Sequence, residues 1–451
     1  MLLTLLTILL FEGFVTISVE ILTMRQLMPF YGGSVVITSI IIGFFLLFLA
    51  LGYRQGGIHR DRVFERLSHN YLLSMLWIGV GLSYSFIAVF SYVTINTLSL
   101  PVLFSLTLYL LCVLAPIVYW LGQTIPLTTN LFNQNQRVSK ISGRTLFLST
   151  LGSFLGALVT SLILFQYLGV AWTVVINCLL LFILTLKLKA ESKLVWWKYV
   201  LPGVSLLLIK NLNVDSEFLR FKLTNNYANY QIENVDKSTR ILKINESNSS
   251  MITVKNQAFP YAEFIRHMLF DELAIKNKQL LIIGAGGFSL TAAGTNDNHV
   301  TYVDIDPDIK QVAETYFLNK AITGDFIGQD ARSYLNQTRA KFDVIISDVY
   351  SNQIAIPPSL LTVEYFQQLA NHLTPSGLLL VNIIASPLFQ NAYSRRLDNT
   401  IRRVFPHCAV YPFSWNTSLS NIIYICPHPS PDTTAYTDNL SSATFDSFTN
   451  R

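Results

Sequence analysis

The stretch Gln279–Gly287, QLLIIGAGG, decides the fold. A short apolar run without helical spacing reads as a strand buried on both faces. It ends in glycines, which allow a tight turn and let a ligand approach the backbone closely. Gly284 and Gly286 are therefore the first candidate ligand contacts. Alone, such a turn is often purely structural. Asp304 makes it specific: it lies at the end of HVTYVDID (299–306), where an acid about 20 residues after the glycines binds both hydroxyls of a ribose. A dinucleotide fingerprint would place a third glycine at position 289, which is Ser289. A nucleoside ligand without a pyrophosphate suits the pattern better.

Working outward, strands alternate with helices. After Asp304 come a helix in PDIKQVAETYFL (307–318), the segment DFIGQDARSYL (325–335), the strand FDVIISD (342–348), a helix in TVEYFQQLANHL (362–373) and the strand GLLLVNII (377–384). A helix is also expected directly after the glycine turn. This alternation predicts a Rossmann-like α/β domain over 276–430, a parallel sheet with helices on both faces and the ligand at the carboxyl ends of the strands. Asp330 then reaches an adenine amino group, or simply caps the helix of ARSYL. Asp348, at the tip of a buried strand, is the candidate general base; the bland alternative is a loop cap. Upstream, NYQIENVDKSTRILKINES (229–247) reads as a hairpin region within a linker of 211–275, and PYAEFIRHMLFDELA (260–274) as a helix. The polar tail 431–451 reads as disordered.

The first 210 residues differ in kind. Six segments, near 2–22, 35–51, 71–92, 102–121, 146–168 and 170–186, approach the roughly 20 apolar residues of a membrane span. An α-helical transmembrane bundle of six or seven spans is expected, with the lipid bilayer as its partner. The seventh candidate holds only eleven residues between Lys198 and Lys210, too few to cross. Residues 1–210 carry 13 Lys/Arg against 5 Asp/Glu, and the rest of the chain 19 against 22. The basic excess thus belongs to membrane loops and excludes a nucleic-acid surface. It sits after the second span (Arg54, Arg60, Arg62, Arg66), the fourth (Arg137, Lys140, Arg144) and the sixth (Lys187, Lys189, Lys193, Lys198). The positive-inside rule puts those loops and the N-terminus in the cytoplasm of a multi-pass inner-membrane protein. If the eleven residues lie in the interface, the C-terminal domain is cytoplasmic too, which is the expectation. Glu12 and Glu20 are costly inside a span; Glu20 is expected to pair with Arg25. The four cysteines, 112, 178, 408 and 426, form no CxxC and accompany no His cluster, which speaks against a zinc site, any metal, and a disulfide framework.

These motifs support a resemblance. LLIIGAGG, YVDIDPDIKQVAE, GQDARSYL, FDVIISD and LTPSGLLLVN, with PYAEFIRH upstream, resemble the spermidine synthases, the polyamine aminopropyltransferases, over 217–430. ISVEILTMRQL, LGQTIPL and SGRTLFLSTLGSFLGALVTSLILFQYLG resemble the membrane domain fused to such enzymes. The resemblance implies transfer of an aminopropyl group from decarboxylated S-adenosylmethionine to a diamine such as putrescine. Asp348 would take the amine proton, Asp304 hold the ribose, Asp330 the adenine amino group, and Ala331 lie beside the base. Tyr261, His267 and Ser351 fall at substrate-side positions, and a homodimer is a further expectation. Two family acids are replaced: Gly287 stands where a carboxylate holds the aminopropyl end, and Ser351 where a second carboxylate helps bind the diamine. The alternatives are a transferase using S-adenosylmethionine itself, for a methyl or aminocarboxypropyl group, and a non-catalytic transporter or sensor.

Overall fold

The computed structural model describes residues 2–59, 61–131, 138–189, 197–350, 356–416 and 419–429. Ser351, Asn352, the basic residues Arg60, Arg137 and Lys193, and the tail 431–451 lie outside them.

Among the described residues the N-terminal half is mostly helical: α1 (Leu2–Tyr31), α2 (Val35–Ile58), α3 (Val63–Gly81), α4 (Tyr84–Ser91), α5 (Val102–Tyr109), α6 (Ala115–Gly122), α7 (Thr124–Thr129), α8 (Val138–Val159), α9 (Gly169–Lys189), α10 (Trp197–Lys210) and α11 (Ser216–Arg220). Four stretches are long and apolar enough to cross a membrane, and a bent pair makes up to five. The bent pair is α3 with α4, which meet at 64°, so the span expected over 71–92 is broken at Leu82–Ser83. The longest stretch, Ser139–Leu188, doubles back. Thr160 Oγ1 and Asn177 Nδ2 both donate to Ser18 Oγ at 2.8 Å, and between them Gly169 takes φ +83° and ends the first leg.

Helices α1 and α8 run side by side at very close range. A Cβ at Gly152 would stand 2.0 Å from the Leu10 carbonyl oxygen, and one at Gly156 2.5 Å from that of Phe14. Small residues four apart let two backbones touch. Outward faces carry Leu46, Phe147, Phe154 and Leu162, each more than half exposed, the arrangement of helices apolar on all sides. Glu12 is buried and accepts from Thr16 Oγ1 (2.9 Å) and Ser149 Oγ (3.4 Å). Arg25 does not pair with Glu20. It donates instead to Asn225 O and Asn229 Oδ1 of the C-terminal half.

The eleven apolar residues lie within a longer helix, which is not one of the stretches counted above. Beyond Lys210 the helix continues through a π-helical turn, Asn211–Asp215, into α11. Trp197–Arg220 forms one run of about 36 Å at about 1.5 Å per residue. Lys210 lies within this run and pairs with Asp215 at 2.6 Å.

A four-stranded antiparallel sheet follows, β1 (Leu223–Thr224), β2 (Asn229–Asn234), β3 (Thr239–Ile244) and β4 (Ser247–Thr253), then α12 (Pro260–His267). The main domain comprises β5 (Gln279–Ile283), β6 (His299–Asp304), α13 (Ile309–Val312), β7 (Asp325–Gly328), α14 (Ala331–Gln337), β8 (Phe342–Ser347), α15 (Val363–His372), β9 (Leu373–Ala385), α16 (Ala392–Arg402), β10 (Ala409–Pro412) and β11 (Ser420–Pro427). Its sheet order is β10-β11-β9-β8-β5-β6-β7. β5 to β9 pair in parallel, whereas β10 and β11 are antiparallel. The sheet is therefore mixed rather than wholly parallel, a Rossmann-like methyltransferase-type arrangement. Where a helix was expected after the glycine turn there is one 3₁₀ turn, Ser289–Thr291. Cys408 and Cys426 form a disulfide across the β10–β11 edge, although the scattered cysteines speak against a disulfide framework. Cys112 and Cys178 are free.

Candidate active site

The chain leaves β5 for β6 and β7 on one side, then returns to β8 on the other. Ligands in such sheets bind where the direction switches, outside the carboxyl ends of the strands. Here that point is occupied by the Gly284 turn and Asp348. The two backbones nearly touch, since a Cβ at Gly284 (φ +90°) would stand 2.1 Å from Asp348 O. A cavity of about 1200 Å³ opens over this point.

The cofactor-side residues converge on it. Gly284, Gly286, Asp304, Asp330 and Ala331 all line the cavity. Asp304 accepts from the backbone N–H of Ala285 (2.9 Å) and of Asp306 (3.0 Å). Burial, outweighing these bonds, pushes its carboxyl up to about 6. Asp330 caps α14, its Oδ1 accepting from Ser333 N at 2.9 Å. The cap occupies one oxygen, so capping and adenine binding are compatible. Behind Asp304, Asp306 accepts from Asn225 Nδ2 at 2.9 Å and from the Tyr230 hydroxyl. Asn225 O is in turn the acceptor of Arg25 Nε. A hydrogen-bonded chain thus links helix α1 to Asp304.

On the acceptor side, Tyr261 Oη donates to Asp348 Oδ2 at 3.0 Å and Asn382 Nδ2 to Oδ1 at 2.9 Å. Burial raises the Asp348 pKa, and the two donors oppose that rise. Both neighbours donate to the carboxyl group. Asn382 was not anticipated. It sits in the apolar run of β9, next to Val381, which pairs with Ser347. Its Oδ1 is buried and finds no protein donor. His267 does not join the site: its side chain is 62% exposed and faces Glu272 and Asp271. Ser351 lies outside the described residues.

The position of the missing family acid is closed. Gly287 N–H donates to Ser250 Oγ, and a Cβ there would stand 2.4 Å from Phe317 Cε1 and 2.8 Å from Ser250 Cβ. Phe317 is fully buried. Four carboxylates, Asp304, Asp306, Asp330 and Asp348, line the cavity, and among the described lining residues there is no Lys, Arg or His. Such a site suits a cationic nucleoside.

Fold and geometry therefore define a Rossmann-like domain with a cavity at the switch point and a buried acid, Asp348, beside the glycine turn. Comparison with known proteins narrows this: residues 258–431 match the spermine/spermidine synthase domain, and this part of the chain is a domain of that type. A polyamine aminopropyltransferase of Vibrio vulnificus is 31% identical over 141 residues, which is 28% of this chain and 44% of that protein. An eEF1A lysine and N-terminal methyltransferase homolog of Drosophila melanogaster is 27% identical over 159 residues, 33% of this chain and 23% of that protein. The chain thus spans less than half the length of these curated relatives. Among solved structures, a probable spermidine synthase from Corynebacterium glutamicum is 22% identical with a TM-score of 0.38, over 48% of this chain and 81% of that one.

Proposed function

We propose that the chain is a membrane-seated aminopropyltransferase of the spermidine synthase type. The donor is decarboxylated S-adenosylmethionine and the acceptor an amine, for which the family likeness suggests a diamine such as putrescine. The acceptor ammonium gives a proton to Asp348. Its freed lone pair attacks the methylene next to the sulfonium, the C–S bond breaks with its electron pair going to sulfur, and methylthioadenosine leaves. The observation that carries this reading is the Asp348 carboxylate, held by Tyr261 and Asn382 beside the glycine turn. A general base contributes typically about 10²–10⁴-fold. Asp348→Asn should lower methylthioadenosine release by about that factor while methylthioadenosine still binds. A fully active variant would reduce Asp348 to a loop cap.

A second reading uses S-adenosylmethionine itself. It is favoured by the closed position at Gly287, where no carboxylate repels that of the intact cofactor. The cavity, however, offers that carboxylate no cation among its described lining residues. Supplying each cofactor in the same assay separates the two.

We also infer that the apolar helices lie in a bilayer as seven crossings, counting both legs of the α8–α9 hairpin, the bent α3–α4 pair and Trp197–Arg220. Arg54, Arg66, Lys140, Arg144 and Lys187 belong to helix ends remote from the C-terminal half. The latter docks at the other ends, through Arg25 on Asn225, the Tyr84–Phe221 ring pair and Asn226 on Gln166. With the basic ends inside, the synthase domain faces away from the cytoplasm, opposite to the orientation expected from an eleven-residue segment. The Cys408–Cys426 disulfide supports the same orientation, because such bonds persist in oxidising compartments.

A further inference from the structure

The cavity is not built by the synthase domain alone. Met28, Tyr31, Gly32, Gly33, Ser34 and Ile37, from the turn between α1 and α2, line it together with Asp348. Ile356, Leu360 and Leu361 line it as well. Beside the turn, Val35 and Val36 are 79% and 58% exposed. They begin an apolar helix long enough to cross a bilayer. One wall of the site is therefore the membrane-proximal end of two apolar helices, and that wall carries no charged side chain.

A free diamine fits this wall poorly. A second ammonium lying against this wall would meet methionine and isoleucine, and an unpaired charge in apolar surroundings is strongly disfavoured. The family's second acid is Ser351 in this sequence. Asn382 Oδ1, buried without a protein donor, is matched to one N–H of a single amino group. We propose that the acceptor is an amphiphilic primary amine drawn from the membrane, its nitrogen at Asp348 and Asn382 and its apolar chain along Met28 and Ile37. This inference rests on the transferase reading above and names its acceptor class. In the reaction, the N–C bond to the aminopropyl group forms as the C–S bond breaks, one amine proton passes to Asp348, and methylthioadenosine leaves. The product is an N-(3-aminopropyl) amphiphile that remains in the membrane.

The test uses the full-length protein in phosphatidylcholine vesicles with decarboxylated S-adenosylmethionine, reading methylthioadenosine release. Propylamine, hexylamine, dodecylamine and putrescine are compared as acceptors. Each methylene buried against the wall should raise kcat/KM by about fourfold over the first few carbons, so dodecylamine should exceed putrescine by on the order of a hundredfold. Partition into vesicles alone could favour long chains, so the decisive reading is a ratio. Met28→Gln should lower the dodecylamine-to-propylamine ratio by about tenfold, and Met28→Leu should keep it. Putrescine preferred over dodecylamine, or a ratio unmoved in Met28→Gln, overturns the amphiphile and leaves the aminopropyltransferase standing. Methylthioadenosine that binds but is never released with any amine overturns both readings.

Discussion

Burial lifts the Asp304 carboxyl from its ordinary value near 3.8 to about 6, and this acid gives the site a pH dependence of definite sign. Between those two values the folded protein holds the proton more tightly than the unfolded chain does. Asp304 therefore contributes stability at low pH that is lost as pH rises toward 6. Nucleoside binding runs the other way, because ribose hydroxyls donate to the ionised form. The affinity for methylthioadenosine should tighten by about tenfold between pH 5 and pH 7 and then level off. Calorimetric titration across that range checks it, and a flat profile would remove Asp304 from the ribose. At this scale much was legible in the sequence. Asp304 and Asp348 could be singled out because each ends an apolar run, and Asp330 because it precedes ARSYL; all three line the cavity. Tyr261 was found through the family likeness and His267 misplaced with it. Six residues along a helix turn the side chain by about 600°, which sets the two on different faces. Asn382 stayed hidden because an amide inside LLLVNII looks like an interruption of the strand; only the pairing of β8 with β9 brings it to Asp348.

Among the elements, the contact of α1 with α8 is the most demanding sterically. Gly156 faces the Phe14 carbonyl across a gap that no side chain fits. Gly156→Leu should lower stability by about 1–3 kcal/mol, seen as a lower unfolding temperature of the purified protein in detergent. Gly143, on the same helix with nothing within 4 Å of a Cβ, supplies the control: Gly143→Leu should leave that temperature unchanged. Equal effects of the two would mean that the helices do not pack this closely in the protein. Hydropathy located these helices and the joint between 168 and 170, where Gly169 reverses the chain. It did not show the bend at Leu82–Ser83, which depends on which residues meet in space. The helix runs on past Lys210, which pairs with Asp215, so the end of the apolar run is not the end of the helix.

At the scale of the whole molecule, the arrangement has a direction. Basic helix ends lie at one end and the synthase domain at the other, whereas the short segment 199–209 leads to the expectation of a C-terminal domain on the basic, cytoplasmic side. A periplasm-active phosphatase joined after residue 429 should be active in intact cells. Cys408 and Cys426 should resist alkylation until reduced. Activity of only a cytoplasmic reporter, with both thiols freely alkylated, would reverse the orientation. The turn between α1 and α2 has a consequence for modularity. Gene fusion treats a synthase domain as portable, yet a recombination point near residue 221 would separate Met28–Ser34 from the cavity and Arg25 from Asn225. A chain shuffled at that joint would inherit the acids and glycines of the nucleoside site but would lose one wall beside them. The two halves are therefore a single heritable unit, although each looks like a domain in its own right.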